Sequence, residues 1–258
     1  LDYGSDFDSQ IVVKTNIAAV LRKELSRRSW KCEPVALGTN TDPYQRAEGR
    51  YRLMPGIIRA LAESRTPFSI LTKGTLLRRD LPLLTLAARQ VDVRVSVSLA
   101  IHDAELQRQI EPGTPSPRAR LDLIKAIRDA GLPCGVLVAP VIPFLTDGAR
   151  QLDGLFAALA DAGATSVTTM PMHLRSTTKD WFMSWLADNH PALVRRYRQL
   201  YGHGAFVTPE YRTWLRERTD PLLVRHGYSV DDVRPMRELV QNEPTAVSAE
   251  RKPALTLF

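Results

Sequence analysis

Eleven residues, GTNTDPYQRAE from Gly38 to Glu48, gather hydroxyls, an amide, two carboxylates and a phenol into one short stretch. They follow an apolar run, Pro34 to Leu37, and precede a helical pattern from Tyr51 to Ser64. The order is strand, polar loop, helix. A connecting loop needs one helix cap and at most a glycine, so this density of polar groups reads as a ligand-binding loop at the carboxyl end of a strand. Similar chemistry recurs further along the chain. Thr72-Lys73, Ser98 with His102-Asp103, Pro140 to Pro143 with Asp147, and Met170 to His173 each follow an apolar run.

Those runs alternate with amphipathic helices. The pattern predicts a short extended piece at residues 10–14, then a helix from Ile17 to Arg28 capped by Asn16. Strand 35–37 and helix 51–64 follow. Next come strand 68–72 with helix 81–89, then strand 93–99 with a long loop to helix 118–130. Strand 135–139 with helix 152–162 and strand 166–170 close the series. Gly131 and Gly163 stand where helix C-caps are expected. Short, apolar strands alternating with helices specify a parallel sheet covered by helices. Repeated units of this kind close into a barrel or spread as an open sheet, and both place ligands at the carboxyl ends of the strands. After Thr177, tryptophans and arginines dominate, with helical patterns at 180–188, 191–201 and 209–226. A tail rich in Glu, Pro, Ser and Thr begins after Val240 and is expected to be disordered. The expected domains are therefore 1–176, a helical extension at 177–240, and the tail 241–258.

The 258 residues suffice for one large domain with an appendage. No apolar stretch is long enough to span a bilayer, and no secretory signal is visible, so a cytoplasmic setting and no membrane partner are expected. Cys32 and Cys134 lie far apart and suggest no disulfide framework. The formal charge of +7 favours polyanionic partners.

Six motifs, in order, resemble the radical S-adenosylmethionine (SAM) proteins of the spore photoproduct lyase-like branch. They are residues 6–14, 38–45 and 71–74, then 96–99, Glu111-Pro112 with Arg120, and 140–143. The resemblance covers roughly residues 1–175. It implies an α/β fold, a partial (β/α)6 TIM-like barrel of parallel strands with a helical C-terminal extension. It also implies a 4Fe-4S cluster held by three cysteines in a CxxxCxxC loop after the first strand, and SAM on the fourth iron. Reductive cleavage of SAM to a 5′-deoxyadenosyl radical and an electron donor such as flavodoxin or ferredoxin complete the family's chemistry. This sequence has no CxxxCxxC. The first strand and cluster loop are expected upstream of Leu1, with a natural variant that lost its cluster as the other reading.

The same resemblance assigns roles residue by residue. Thr39, Asn40, Thr41 and Asp42 match the loop that meets the SAM ammonium, which wants acceptors. The rival reading, a turn and a helix cap around Pro43, is weaker, and Asn40 and Asp42 are the strongest of the four. Lys73 matches a lysine that pairs with the SAM carboxylate, and Ser98 a serine near the ribose. Ser96, on the same strand face, has small-residue packing as a serious rival. Arg120 suits a carboxylate bidentately, either Glu111 or that of SAM. Pro140 to Pro143 and Met170 to Met172 would flank the adenine. His173 is a candidate on the substrate side, Tyr44 a cover or a loop anchor, and both cysteines are read as inert. No catalytic residue and no metal ligand is assigned. The basic, aromatic C-terminal helices raise DNA or another nucleic acid as a partner, and a cluster-free nucleic-acid-binding protein as the alternative function. Mixed-in Glu210, Glu217 and Asp220 favour a solvated helical face instead.

Overall fold

The computed structural model describes residues 12–230. The extended piece expected at 10–14 and the tail expected at 241–258 lie partly or wholly outside them. The protein is α/β, with one five-stranded sheet in the sequential order β1-β2-β3-β4-β5. The strands are β1 (Val35–Leu37), β2 (Phe68–Thr72), β3 (Val93–Ser98), β4 (Cys134–Val141) and β5 (Ser166–Pro171). The chain divides into two compact units between Arg94 and Val95. The boundary expected near residue 177 falls inside the second unit.

In the first unit β1 runs parallel to β2, with Val35 opposite Phe68. Helix α1 (Ile17–Leu25) packs on α3 (Met54–Glu63), and α3 on α4 (Leu81–Ala88). Leu21, Ile57, Ile58, Leu61, Ile70 and Leu84 fill the core between them. Asn16 occupies the N-cap position of α1, but its side chain makes no capping hydrogen bond there. The helix expected over 51–64 is α3, which starts three residues later, and a short helix that the sequence does not predict stands before it. That short helix, α2 (Arg46–Tyr51), stops where Arg52 turns left-handed at φ 49°. Pro55 then preorganises the first turn of α3. The Glu48 carboxylate caps that turn, accepting from Leu53 N at 2.8 Å and Met54 N at 3.2 Å.

In the second unit β3 pairs parallel with β4 and β4 with β5, with a register shift between Val138 and Val141. Val97, Val136, Val138 and Val167 pack with Leu123, Ile127, Phe156 and Leu159. Those last four lie on α6 (Pro117–Asp129) and α7 (Ala149–Asp161). A helix absent from the sequence reading, α5 (Ala104–Ile110), interrupts the long connection after β3. Its signal was present: Asp103 caps it by accepting from Leu106 N at 2.8 Å. The C-terminal helices are α8 (Ser176–Asn189), α9 (Val194–Tyr201) and α10 (Pro209–Arg225). Among the described residues no helix is long and apolar enough to cross a membrane.

The two cysteines differ sharply. Cys32 is exposed, while Cys134 is fully buried at the start of β4. Burial pushes the Cys134 thiol up to about 12 from the ordinary 9.0. Burial, then the nearby Asp161 carboxylate, likewise raises Tyr228 to about 12. Such groups favour the folded state while neutral in both states. Their contribution is intact below about pH 9, where the unfolded thiol still holds its proton, and is lost as pH climbs towards 12. A thiol reagent at pH 8 is expected to label one cysteine of the native 258-residue chain and both after unfolding. Rapid native labelling of Cys134 would contradict its burial.

Candidate functional site

The polar loop after β1 is tied down by its own carboxylate. The chain leaves β1 through Gly38 at φ 99°, where an added Cβ would stand 2.0 Å from the Leu71 carbonyl oxygen. Only glycine permits that approach to β2. Beyond it, Asp42 Oδ1 accepts from Tyr44 N at 2.9 Å and from Thr72 Oγ1 at 2.5 Å, and Oδ2 accepts from Lys73 N at 2.7 Å. Thr72 Oγ1 in turn accepts from Gly74 N at 2.8 Å. Asp42 therefore staples its loop to the carboxyl end of β2. Thr39, Asn40 and Thr41 are exposed just upstream of this staple. Their side chains make no hydrogen bond to other described residues.

Tyr44 is the loop's anchor. Its ring is buried and its hydroxyl donates to Asp80 Oδ2 at 3.1 Å. Arg79 donates to both Asp80 oxygens at 2.8 Å and to Glu48 Oε1 at 2.5 Å. Glu48 caps α3, so one ionic network fixes the whole 44–54 segment. Burial, reinforced by Asp80, drives the Tyr44 phenol far above its usual range, which excludes it as a proton donor or acceptor near neutrality. Nothing in the sequence pattern flagged this network, because its members lie some thirty residues apart.

In the second unit Arg120 is fully buried. Its guanidinium donates to Pro115 O at 2.9 Å, Ser98 O at 3.1 Å, Glu111 Oε2 at 2.6 Å and Thr114 Oγ1 at 2.7 Å. Glu111, one of the two carboxylates expected for Arg120, is thus in ion-pair contact with it. That pair and the Ser98 carbonyl hold the β3–α6 connection together. Ser98 itself is buried. Ser96 flanks Gly135, where an added Cβ would meet its Oγ at 2.9 Å, so the packing reading holds for Ser96.

Three buried tyrosines dock the C-terminal helices onto the ends of β4 and β5. Tyr197 OH donates to Pro143 O at 2.5 Å, Tyr201 OH to Met172 O at 2.7 Å, and Tyr211 OH to Asp147 Oδ2 at 2.7 Å. Burial raises all three phenols. His173 is exposed and stacks on Phe206 with ring centroids 5.9 Å apart.

A model of the radical SAM superfamily matches residues 17–157, over half of the chain. The chain belongs to the radical SAM superfamily. An uncharacterised protein of Mycobacterium tuberculosis is 64% identical over 228 residues, 88% of this chain and 67% of its own length. An uncharacterised protein of Acidianus two-tailed virus is 30% identical over 66% of this chain and 56% of its own. Among solved structures, a spore photoproduct lyase variant with bound AdoMet and dinucleoside spore photoproduct shares the fold at a TM-score of 0.62 and 17% identity. The match covers 84% of this chain and 65% of that one. The chain thus spans about two thirds of the lyase's length.

The residues present do not fit the superfamily's cluster. Its ligation takes three thiolates from one short loop. Here one cysteine is exposed and the other is buried and held as a neutral thiol. Among the described residues no three His, Cys, Asp or Glu side chains converge as metal ligands. The exposed hydroxyls and amide of residues 39–41 do suit an ammonium, which needs acceptors and brings donors.

Two stability tests follow from these contacts. Replacing Asp42 by Ala orphans two backbone amides and the Thr72 hydroxyl. A loss of about 2–4 kcal/mol in urea unfolding is expected, since hydrogen bonds to charged groups contribute roughly 1.5–3 kcal/mol each without full additivity. Replacing Arg120 by Met strands Glu111 and is expected to cost about 3–5 kcal/mol, partly restored by a second change, Glu111→Leu. An Arg120→Met protein within about 1 kcal/mol of the parent would remove the ion pair from this account.

Proposed function

We infer that this chain carries the SAM-holding portion of a radical SAM enzyme. In its intact form that enzyme would use SAM as the source of a 5′-deoxyadenosyl radical for hydrogen abstraction from a substrate yet to be identified. The observation carrying the reading is the Asp42 staple. It spends the carboxylate on the loop itself and leaves Thr39, Asn40 and Thr41 exposed and unpartnered at the carboxyl end of β1. Asn40 and the two threonines are the proposed contacts to the SAM ammonium, with Asp42 adding its charge nearby. Lys73, whose backbone amide is already fixed by Asp42, is proposed to meet the SAM carboxylate through its side chain. Ser98 is proposed near the ribose. Glu111 and Arg120 act one step back, by holding the backbone of Ser98.

Thiolates for a cluster are proposed to come from a part of the full-length protein other than these 258 residues. A flavodoxin or ferredoxin is the proposed electron donor. The nucleic-acid-binding alternative has weaker support. Base stacking needs accessible rings, and Tyr197, Tyr201 and Tyr211 are buried with their hydroxyls engaged.

The decisive experiment uses the full-length protein after anaerobic reconstitution. Iron and sulfide near four each per chain are expected, together with SAM binding by calorimetry. Asn40→Ala and Lys73→Ala are each expected to weaken SAM binding roughly tenfold, as loss of one polar contact to a charged group does. A colourless protein that neither binds nor cleaves SAM would overturn this function.

A further inference from the structure

Helices α9 and α10, with the loop after β4, line a second, open pocket, one that the SAM reading does not use. Phe144, Asp147, Arg196, Tyr211, Trp214 and Arg218 line a cavity of about 430 Å³. Their side chains form a continuous ladder. The Arg196 guanidinium lies over the Phe144 ring, 3.8 Å from its centroid. Phe144 meets Tyr211 edge-on at 6.3 Å, and Tyr211 meets Trp214 at 5.3 Å. Arg218 closes the series over Trp214 at 4.2 Å. An aromatic row is thus bracketed by two cations.

Among the described residues neither cation is neutralised by a salt bridge. Arg196 and Arg218 make no ion pair and no hydrogen bond to other described residues. Acidic residues are not scarce on these helices: Glu210, Glu217 and Asp220 share α10 with Arg218. A guanidinium stacked on a ring keeps its donor edge directed sideways, where a phosphate or carboxylate can take two parallel hydrogen bonds. The stacking also restricts the long side chains beforehand, which lowers the entropic cost of ordering them around a ligand.

The cavity also holds one carboxylate. Asp147 is buried, and its Oδ2 accepts from Phe144 N at 2.9 Å and from Tyr211 OH at 2.7 Å. Its Oδ1 receives no hydrogen bond from any described residue. Two guanidiniums and one carboxylate leave a net positive charge, with one acceptor among the cations. A bare anion would use only the cations. A ligand joining an oxyanion to a hydroxyl would use all three. The cavity volume suits a small molecule.

We propose that this pocket binds a small phosphorylated, hydroxyl-bearing molecule of the sugar-phosphate or nucleoside-monophosphate class. Arg196 and Arg218, at the two ends of the aromatic row, draw the phosphate in, one of them taking it through its paired donors, and Asp147 Oδ1 accepts from a hydroxyl. The proposal does not depend on the radical SAM chemistry.

The test titrates the full-length protein with ribose 5-phosphate, inorganic phosphate and a short single-stranded oligonucleotide, read by calorimetry. Ribose 5-phosphate is expected to bind at least tenfold more tightly than inorganic phosphate. The variant Arg196→Lys/Arg218→Lys keeps both charges but loses the planar fork, and is expected to weaken that binding about tenfold. The matched variant Arg195→Lys/Arg198→Lys, on the exposed part of α9, is expected to leave it unchanged. Far-UV circular dichroism and melting temperature verify that both variants fold. Failure of both phosphate compounds to bind, equal losses in the two variants, or preference for the oligonucleotide at equal phosphate concentration would each overturn the assignment.

Discussion

The ends of the short parallel strands leave backbone amides and carbonyls that neither helix nor strand can pair, and in a buried setting each must still find a partner. Here ionised side chains supply much of the solution. Asp42 gathers the amides of Tyr44 and Lys73 with the Thr72 hydroxyl. Arg120 gathers the carbonyls of Ser98 and Pro115. Asp147 gathers the Phe144 amide and the Tyr211 hydroxyl. Charge-assisted bonds are shorter and stronger than neutral ones, so one side chain can fix a loop of several residues. What the loops present outward follows from this. Residues 39–41 are displayed because Asp42 is committed, and α10 is docked because Asp147 is.

The architecture was legible because it rests on period and punctuation. All five strands fall where apolar runs placed them, and β1 and β2 do so at both ends. Gly131 and Gly163 take φ of 79° and 80°, as helix ends require. The misses have local physical causes. The helix expected over 51–64 begins only at Met54, because a left-handed Arg52 ends a separate short helix, α2, and Pro55 then opens α3. Helix α5 lies in a polar segment without an apolar stripe, and its cap, Asp103, stands beside His102 where the sequence points equally to site chemistry.

The candidate site was legible only as far as residue type and motif order reach. Spacing put Asp42 and Arg120 at strand ends and helix starts, but it could not tell which of their possible partners each would meet. Those partners are distant in sequence. Asp42 reaches Thr72, Arg79 reaches Glu48, and Tyr197 reaches Pro143. The aromatic C-terminal segment shows the same limit. Its composition suggests base stacking, yet hydroxyl donation and burial turn three of its tyrosines inward, while Arg196 and Arg218 lie over aromatic rings.

The cysteines bear on how such a protein divides its labour. A cluster ligand must be a thiolate that can reach iron. Cys134 is the wrong thiol on both counts, since its place in the apolar core removes access and favours the protonated form. Cys32 is accessible, but its sulfur rests 3.5 Å from the Ser64 carbonyl and stands without a second cysteine in its loop. The polar loop after β1, by contrast, keeps its shape through contacts made wholly within the first unit: Gly38 against Leu71, Asp42 against Thr72, Tyr44 against Asp80. None of those contacts needs a metal centre to form. The exposed Thr39, Asn40 and Thr41 are therefore held in place by the fold of the first unit alone.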